Sequence, residues 1–177
     1  MGIRTVRTEG DECLRKVCKP VKSVSLRTRI LIEDMFDTMY ESGGVGLAAP
    51  QIGVLKRIVV MDTDDNQHVL INPQILEVSG EQTGYEGCLS IPGKSGIVTR
   101  PDYVKVKALN ERGEEYVLEG EGLLARCICH ECDHLDGILY SDKAEGGLIN
   151  NEDLPDDEEE ELYEDAYEEF TEEEIHK

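Results

Sequence analysis

The segment His130-Glu131-Cys132-Asp133-His134 sets two imidazoles four residues apart, with a carboxylate beside the first. On a helix, residues i and i+4 lie one turn apart on one face. Both rings can then reach one metal ion, and Glu131 can reach a water next to it. Two ligands do not hold a catalytic metal; three protein ligands and one open position do. A zinc endopeptidase shares this motif and would take a carboxylate or a third histidine from further along the chain. Here His134 is followed by Leu135-Asp136-Gly137-Ile138-Leu139, and the one later histidine, His176, stands at the extreme end. The third ligand must come from upstream. Cys88 is the candidate, in Glu86-Gly87-Cys88-Leu89-Ser90 between turn-forming glycines, and a thiolate with two neutral imidazoles makes a tetrahedral N/S site.

Cys127, Cys129 and Cys132 crowd the same stretch and admit a rival reading, a binding-only protein with a structural zinc site. On one continuous helix these three point in different directions around the axis, which opposes a shared site. With Cys13, Cys18 and Cys88 the cysteines number six. No secretion signal precedes them and several lie among histidines, so metal binding and packing are expected rather than disulfides.

These residues need a helix and a scaffold. A helix is expected to begin after Gly120 or Gly122, include Leu123 through Leu135, and close near Gly137. Leu123 and Cys127 precede His130 by seven and three residues and share its face. They either line an apolar pocket with Val45 or belong to the core. An earlier helix, capped by Ser25, runs through Leu26, Ile30, Met35, Met39 and Tyr40 to Gly43-Gly44. After a loop rich in small residues, a strand is expected from Arg57 to Asp62. Its hairpin partner is His68 to Asn72, across Thr63 to Gln67. Val104 to Leu109 alternates with period two and turns through Asn110–Gly113 into Glu115–Glu119. Helix, short strands, then helix predict an α+β domain with mostly antiparallel strands packed around the central metal-binding helix.

The chain has 177 residues, 39% of them hydrophobic, enough for one compact domain with an appendage. Its net charge of −21 is uneven, because 15 acidic residues and one basic residue lie between Glu152 and Lys177. Such a tail repels phosphate backbones, which argues against DNA or RNA binding there. It also places Leu162, Tyr163, Ala166, Tyr167 and Phe170 at helix-like intervals, so an acidic helix and a solvated tail are both open. No apolar run approaches the roughly 20 residues that span a bilayer. Met1 to Arg7 alternates charges instead of presenting a signal peptide. A cytoplasmic protein without membrane contact is expected.

Three segments resemble the signature motifs of peptide deformylases. Gly44-Val45-Gly46-Leu47-Ala48-Ala49-Pro50-Gln51 is similar to the family's G-x-G-x-A-A-x-Q, Glu86 to Ser90 to its E-G-C-x-S, and His130 to His134 to its H-E-x-D-H. The resemblance runs from about Asp11 to about Ser141, in the family's order. It implies a hydrolase that removes the formyl group from the N-terminal methionine of new polypeptides. By the same resemblance, Cys88, His130 and His134 hold one divalent metal per chain, ferrous iron in cells, with zinc, nickel or cobalt able to replace it. Glu131 would act as general base and then general acid. Gln51 and the Leu89 backbone N–H would donate to the oxyanion.

Gly44, Val45, Gly46 and Gly87 would form a substrate edge, with Leu123 and Cys127 toward the methionine pocket. Arg100 can pair with Glu86 and brace the Cys88 segment, whereas Asp133 is assigned no chemical step. Residues 1–150 are expected to be the catalytic domain and 151–177 the acidic helix or tail. The sequence departs from the bacterial pattern in two places. Cys129 stands where glutamine is usual. The acidic tail replaces a basic C-terminal helix, so any transient ribosome contact would use another surface.

Overall fold

The computed structural model describes residues 2–155. The third helix or tail expected beyond Pro155 lies outside the described residues. In chain order the regular elements are α1 (Leu26–Glu41), β1 (Gly46–Ala48), β2 (Ile58–Thr63), β3 (Asn66–Ser79), β4 (Gln82–Cys88), β5 (Ile91–Arg100), β6 (Tyr103–Leu109), β7 (Glu115–Glu121), α2 (Gly122–Leu135) and β8 (Glu145–Asn150). One antiparallel sheet has the order β1-β2-β3-β6-β7 and a second has the order β4-β5-β8. This is the expected α+β arrangement, with α2 packed against β1, β2, β6 and β7 of the larger sheet and against β5 of the smaller.

Strand β2 shows why two helices are needed. Ile58 and Val60 enter a core with Leu31, Ile32, Met35 and Met39 of α1, while Val59 and Met61 enter another with Ala125, Ile128 and Leu135 of α2. A strand covered on both faces reads as a continuous apolar run rather than an alternating one. Full burial of each large side chain contributes about 1.5–3 kcal/mol. β6 instead alternates, with Val104, Val106 and Ala108 buried and their neighbours half-buried.

Local chemistry sets the helix ends. Ser25 Oγ accepts from the Thr28 N–H at 3.3 Å, and Thr28 Oγ1 accepts from the Ser25 N–H at 3.3 Å, a reciprocal cap on α1. After α2, Gly137 takes φ 74°, and a Cβ there would stand 2.5 Å from the Arg15 carbonyl oxygen. Backbone angle and close approach both demand glycine at that position.

Two expectations change. The β2–β3 connection is tighter than Thr63 to Gln67: Thr63 pairs with Asn66, leaving only Asp64 and Asp65, at φ 54° and 58°. Aspartate tolerates the left-handed region, and two such residues match the twist of a hairpin. Cys88 lies at the end of β4, paired with Ile91, rather than in a glycine-bounded loop, and Leu89-Ser90 form the turn. The glycines of β4 and β5, together with Pro92, hide the alternation, while backbone pairing still forms the ladder.

Candidate metal centre and active-site cleft

Helix α2 presents Arg126, His130 and His134 along one side and Cys127 and Glu131 along the adjoining one, each series spaced by four residues. The hairpin of the smaller sheet brings Cys88 to the first series. One donor atom from each of Cys88, His130 and His134 lies within 4.8 Å of the others, and Cys88 Sγ stands 3.3 Å from His134 Nε2. A tetrahedral ion with ordinary metal–sulfur and metal–nitrogen lengths separates its donors by about 3.5 Å, so the cluster fits a single divalent cation. Cys127, Cys129 and Cys132 do not join this group among the described residues. Burial pushes their thiols up, which suits neutral packing groups.

The ring of His130 is held from behind. Glu86 Oε1 lies 2.7 Å from His130 Nδ1, leaving Nε2 for the centre. Arg100 donates to both Glu86 oxygens at 2.9 Å, as the sequence suggested. Arg100 also reaches Asp133 at 2.7 Å, and Lys143 meets the same carboxylate at 2.9 Å. Burial raises Glu86, but Arg100 and His130 outweigh it and hold the carboxyl well below its usual range. Burial also opposes charge on His130, yet Cys88 and Glu86 lift it to about 10. His134 is held well below the imidazole range by burial and by the neighbouring His130. A bound cation displaces protons from such a set.

Glu131 is 5% exposed, and its Oε2 has no hydrogen-bond partner among the described residues. Burial raises this carboxyl to about 7. Its space is provided by Gly46 of β1, where a Cβ would lie 2.7 Å from Glu131 Oε1 and 2.9 Å from Cys127 Sγ. Gln51 sits in a 3-10 turn (Ala49–Ile52), its Oε1 accepting from the Ala48 N–H at 2.9 Å. Gln51 Nε2 donates to Ser90 Oγ at 3.1 Å and lies 3.6 Å from Cys88 Sγ. The amide is thereby aimed beside the ligand sulfur. The Leu89 N–H makes no backbone hydrogen bond among the described residues.

A cleft of about 590 Å³ opens over this floor. Gly44, Val45, Gly46, Gly87, Leu123 and Cys127 all line it, as do Gln51, Cys88, Leu89, His130 and Glu131. His134 lies beneath, 1% exposed. Val45 and Leu123 are about half exposed at the rim, whereas Cys127 is buried. The cleft lies between β1 and β4, each an end strand of its sheet. Unpaired strand edges of this kind accept an extended peptide.

Sequence reasoning missed Arg126, which donates to Glu86 Oε2 at 2.6 Å, and Ser90, which anchors Gln51. The signal for Arg126 was its position one turn before His130: a charge on an inward helix face requires a carboxylate partner. Ser90 stands at the fixed serine of E-G-C-x-S, but nothing along the chain tied its hydroxyl to Gln51.

Residues 3–147 match the family model described as polypeptide deformylase. A peptide deformylase of Agathobacter rectalis is 61% identical over 148 residues, spanning 84% of this chain and 94% of that relative. One from Lachnoclostridium phytofermentans is 56% identical over 163 residues, 90% of this chain and 100% of the relative. The crystal structure of peptide deformylase from Thermotoga maritima is similar with a TM-score of 0.80 at 42% identity, covering 82% of this chain and 99% of that one. That of a peptide deformylase from Synechococcus elongatus in complex with actinonin has a TM-score of 0.79 at 42% identity, covering 81% and 79%.

Proposed function

The chain belongs to the peptide deformylase family and removes the formyl group from the N-terminal formyl-methionine of new polypeptides, and we propose that the cleft residues divide that reaction among them as follows. Cys88, His130 and His134 hold one divalent cation, ferrous iron in the cell, with zinc, nickel or cobalt as substitutes. Bound there, such a cation would supply Lewis acidity toward a carbonyl oxygen and a water near neutral pH.

Glu131 takes the proton from the attacking water. It later gives the proton to the methionine nitrogen as the C–N bond breaks, so formate and a free amine leave. Gln51 Nε2 and the Leu89 N–H donate to the oxygen that gains charge at the tetrahedral stage. Glu86 holds His130 in the tautomer that turns Nε2 toward the ligand cluster. The peptide lies as an added strand between β1 and β4, at Gly44, Val45, Gly46 and Gly87. Recognition through the backbone tolerates many sequences after methionine. Leu123, Cys127 and Val45 take the methionine side chain.

The observation that carries this reading is Glu131: a buried carboxylate with an oxygen unpartnered among the described residues, next to the three-donor cluster and on the floor of a cleft between two open strand edges. Residues 1–150 form the catalytic domain in this reading and 151–177 an acidic appendage. The activity is placed in the cytoplasm, where new polypeptides arise. Among the described residues no helix is long and apolar enough to cross a membrane. Any transient ribosome contact avoids the acidic tail.

The deciding experiment is formate release from formyl-Met-Ala-Ser by anaerobically prepared, iron-loaded protein, alongside Glu131→Ala. Rapid release by the parent, abolished in the variant while metal stays bound, supports the role given to Glu131. Undiminished release by the variant removes that role.

A further inference from the structure

We propose that Arg126 is the positioning residue that sets the spacing of the metal ligands, by fastening the strand that carries Cys88 to the helix that carries His130 and His134. The proposal rests on the reading of those three residues as ligands. The donors come from two structural units. Cys88 ends β4, at the outside of the three-stranded sheet, while both histidines lie on α2, packed mainly on the five-stranded sheet. A tetrahedral site tolerates little drift between them.

Arg126 leaves α2 one turn before His130 and spends its donors on the other unit. Its Nη1 donates to Glu86 Oε2 of β4 at 2.6 Å and to the Val98 carbonyl of β5 at 3.1 Å. Its Nη2 donates to the Gln82 carbonyl of β4 at 3.3 Å. The guanidinium passes beside Gly84, where a Cβ would stand 3.7 Å from Nη2.

Glu86, two residues before Cys88, completes a loop. One of its oxygens takes Arg126 and the other meets His130 Nδ1 at 2.7 Å. Helix residue i, a strand carboxylate and helix residue i+4 are thus tied together, so strand position and imidazole orientation are set by one linkage. Arg100 supplies a second tie, but it starts on β5 and reaches α2 through the partly exposed Asp133. Arg126 makes its tie within the buried interface. A lysine could meet Glu86 as a point charge but lacks the planar fork that also serves the two carbonyls.

The test is cobalt(II) binding by the full chain, its Arg126→Met and Arg126→Lys variants, and a Cys88→Ser control. Readouts are the thiolate-to-cobalt absorption band and the rate of cobalt loss to a chelator, with urea unfolding of each metal-free protein. Partners behind metal-ligating histidines typically change affinity by about 10- to 100-fold when removed. Arg126→Met is expected to lose cobalt faster by that order and to shift or weaken the band, with Arg126→Lys intermediate.

Parental release and an unchanged band in Arg126→Met overturn the proposal. If Arg126→Met does not fold, parental behaviour of Arg126→Lys overturns it. A band that survives in Cys88→Ser refutes the ligand assignment itself. A band lost in Cys88→Ser but unaltered in the Arg126 variants refutes only the role of Arg126.

Discussion

Gly46→Ala isolates the placement of Glu131 from its chemistry. Gly46 does not occupy the left-handed region, so alanine brings no backbone strain there. The new methyl carbon would stand 2.7 Å from Glu131 Oε1, against 3.4 Å for ordinary contact, so that oxygen must retreat by about 0.7 Å. Cys127 Sγ, 2.9 Å from the same carbon and buried, must also give way, so although both displaced atoms end side chains the stability cost falls in the ordinary range of overpacking, about 1–3 kcal/mol. The catalytic cost is at the upper end of that range, because a misplacement of about 1 Å removes on the order of 100-fold in rate, nearly 3 kcal/mol at the barrier.

We therefore expect kcat for formate release to fall by about 10- to 100-fold, with one metal per chain retained and a modest fall in the urea midpoint. The same alanine in a Glu131→Asp, Cys127→Ala background, which removes both crowding atoms, should change kcat little. The coupling between the two sites is the quantity that matters. If Gly46→Ala keeps kcat within about twofold of the parent, or costs as much in that background as in the parent, the steric argument is wrong.

Gln51→Ala should lower kcat by about 100- to 1,000-fold if its amide faces the oxyanion. It should also destabilise the fold by about 1–3 kcal/mol, because the Ala48 N–H loses a buried acceptor; an unchanged kcat would assign Gln51 to the turn alone. Glu86 is depressed in the folded state relative to an unfolded value of about 4.3, so its contribution is present above that pH and lost as pH falls toward the folded value. Urea stability of the metal-free protein should thus drop steeply below about pH 4, and Glu86→Gln should flatten that drop; equal slopes would deny Glu86 the role. Chelation should abolish activity and lower Tm by mass action, and readdition of a divalent metal should restore both. If iron is the cellular metal, activity of the iron-loaded protein should decay in air while the nickel-loaded protein persists, and equal lifetimes would argue against oxidation at an iron–thiolate centre.

What the sequence determined by itself is what local spacing can encode. The Ser25 cap, the α1 stripe, the β6–β7 hairpin and the helix placing His130, Glu131 and His134 all depend on residues within a few turns of one another. The reactive residue types were legible for the same reason, since donor chemistry and i, i+4 geometry do not wait for the rest of the fold. Cys88 was legible as a residue but not as the end of a strand. β4 and β5 form a hairpin as local as β6–β7, but they have little apolar alternation to reveal it, and β8 pairs with β5 only across the intervening α2.

Three features were decided only by the tertiary structure. One is the pair of open edges, β1 and β4, that bound the cleft. Another is the closeness of Gly46 to Glu131, across 85 residues of chain. The third is the joining of Arg126 and His130 to the Glu86–Arg100 pair that the sequence suggested. A buried carboxylate is held below its usual range, as Glu86 is and Glu131 is not, only where several donors converge, and which donors converge is settled by how two sheets pack about one helix rather than by any pattern along the chain.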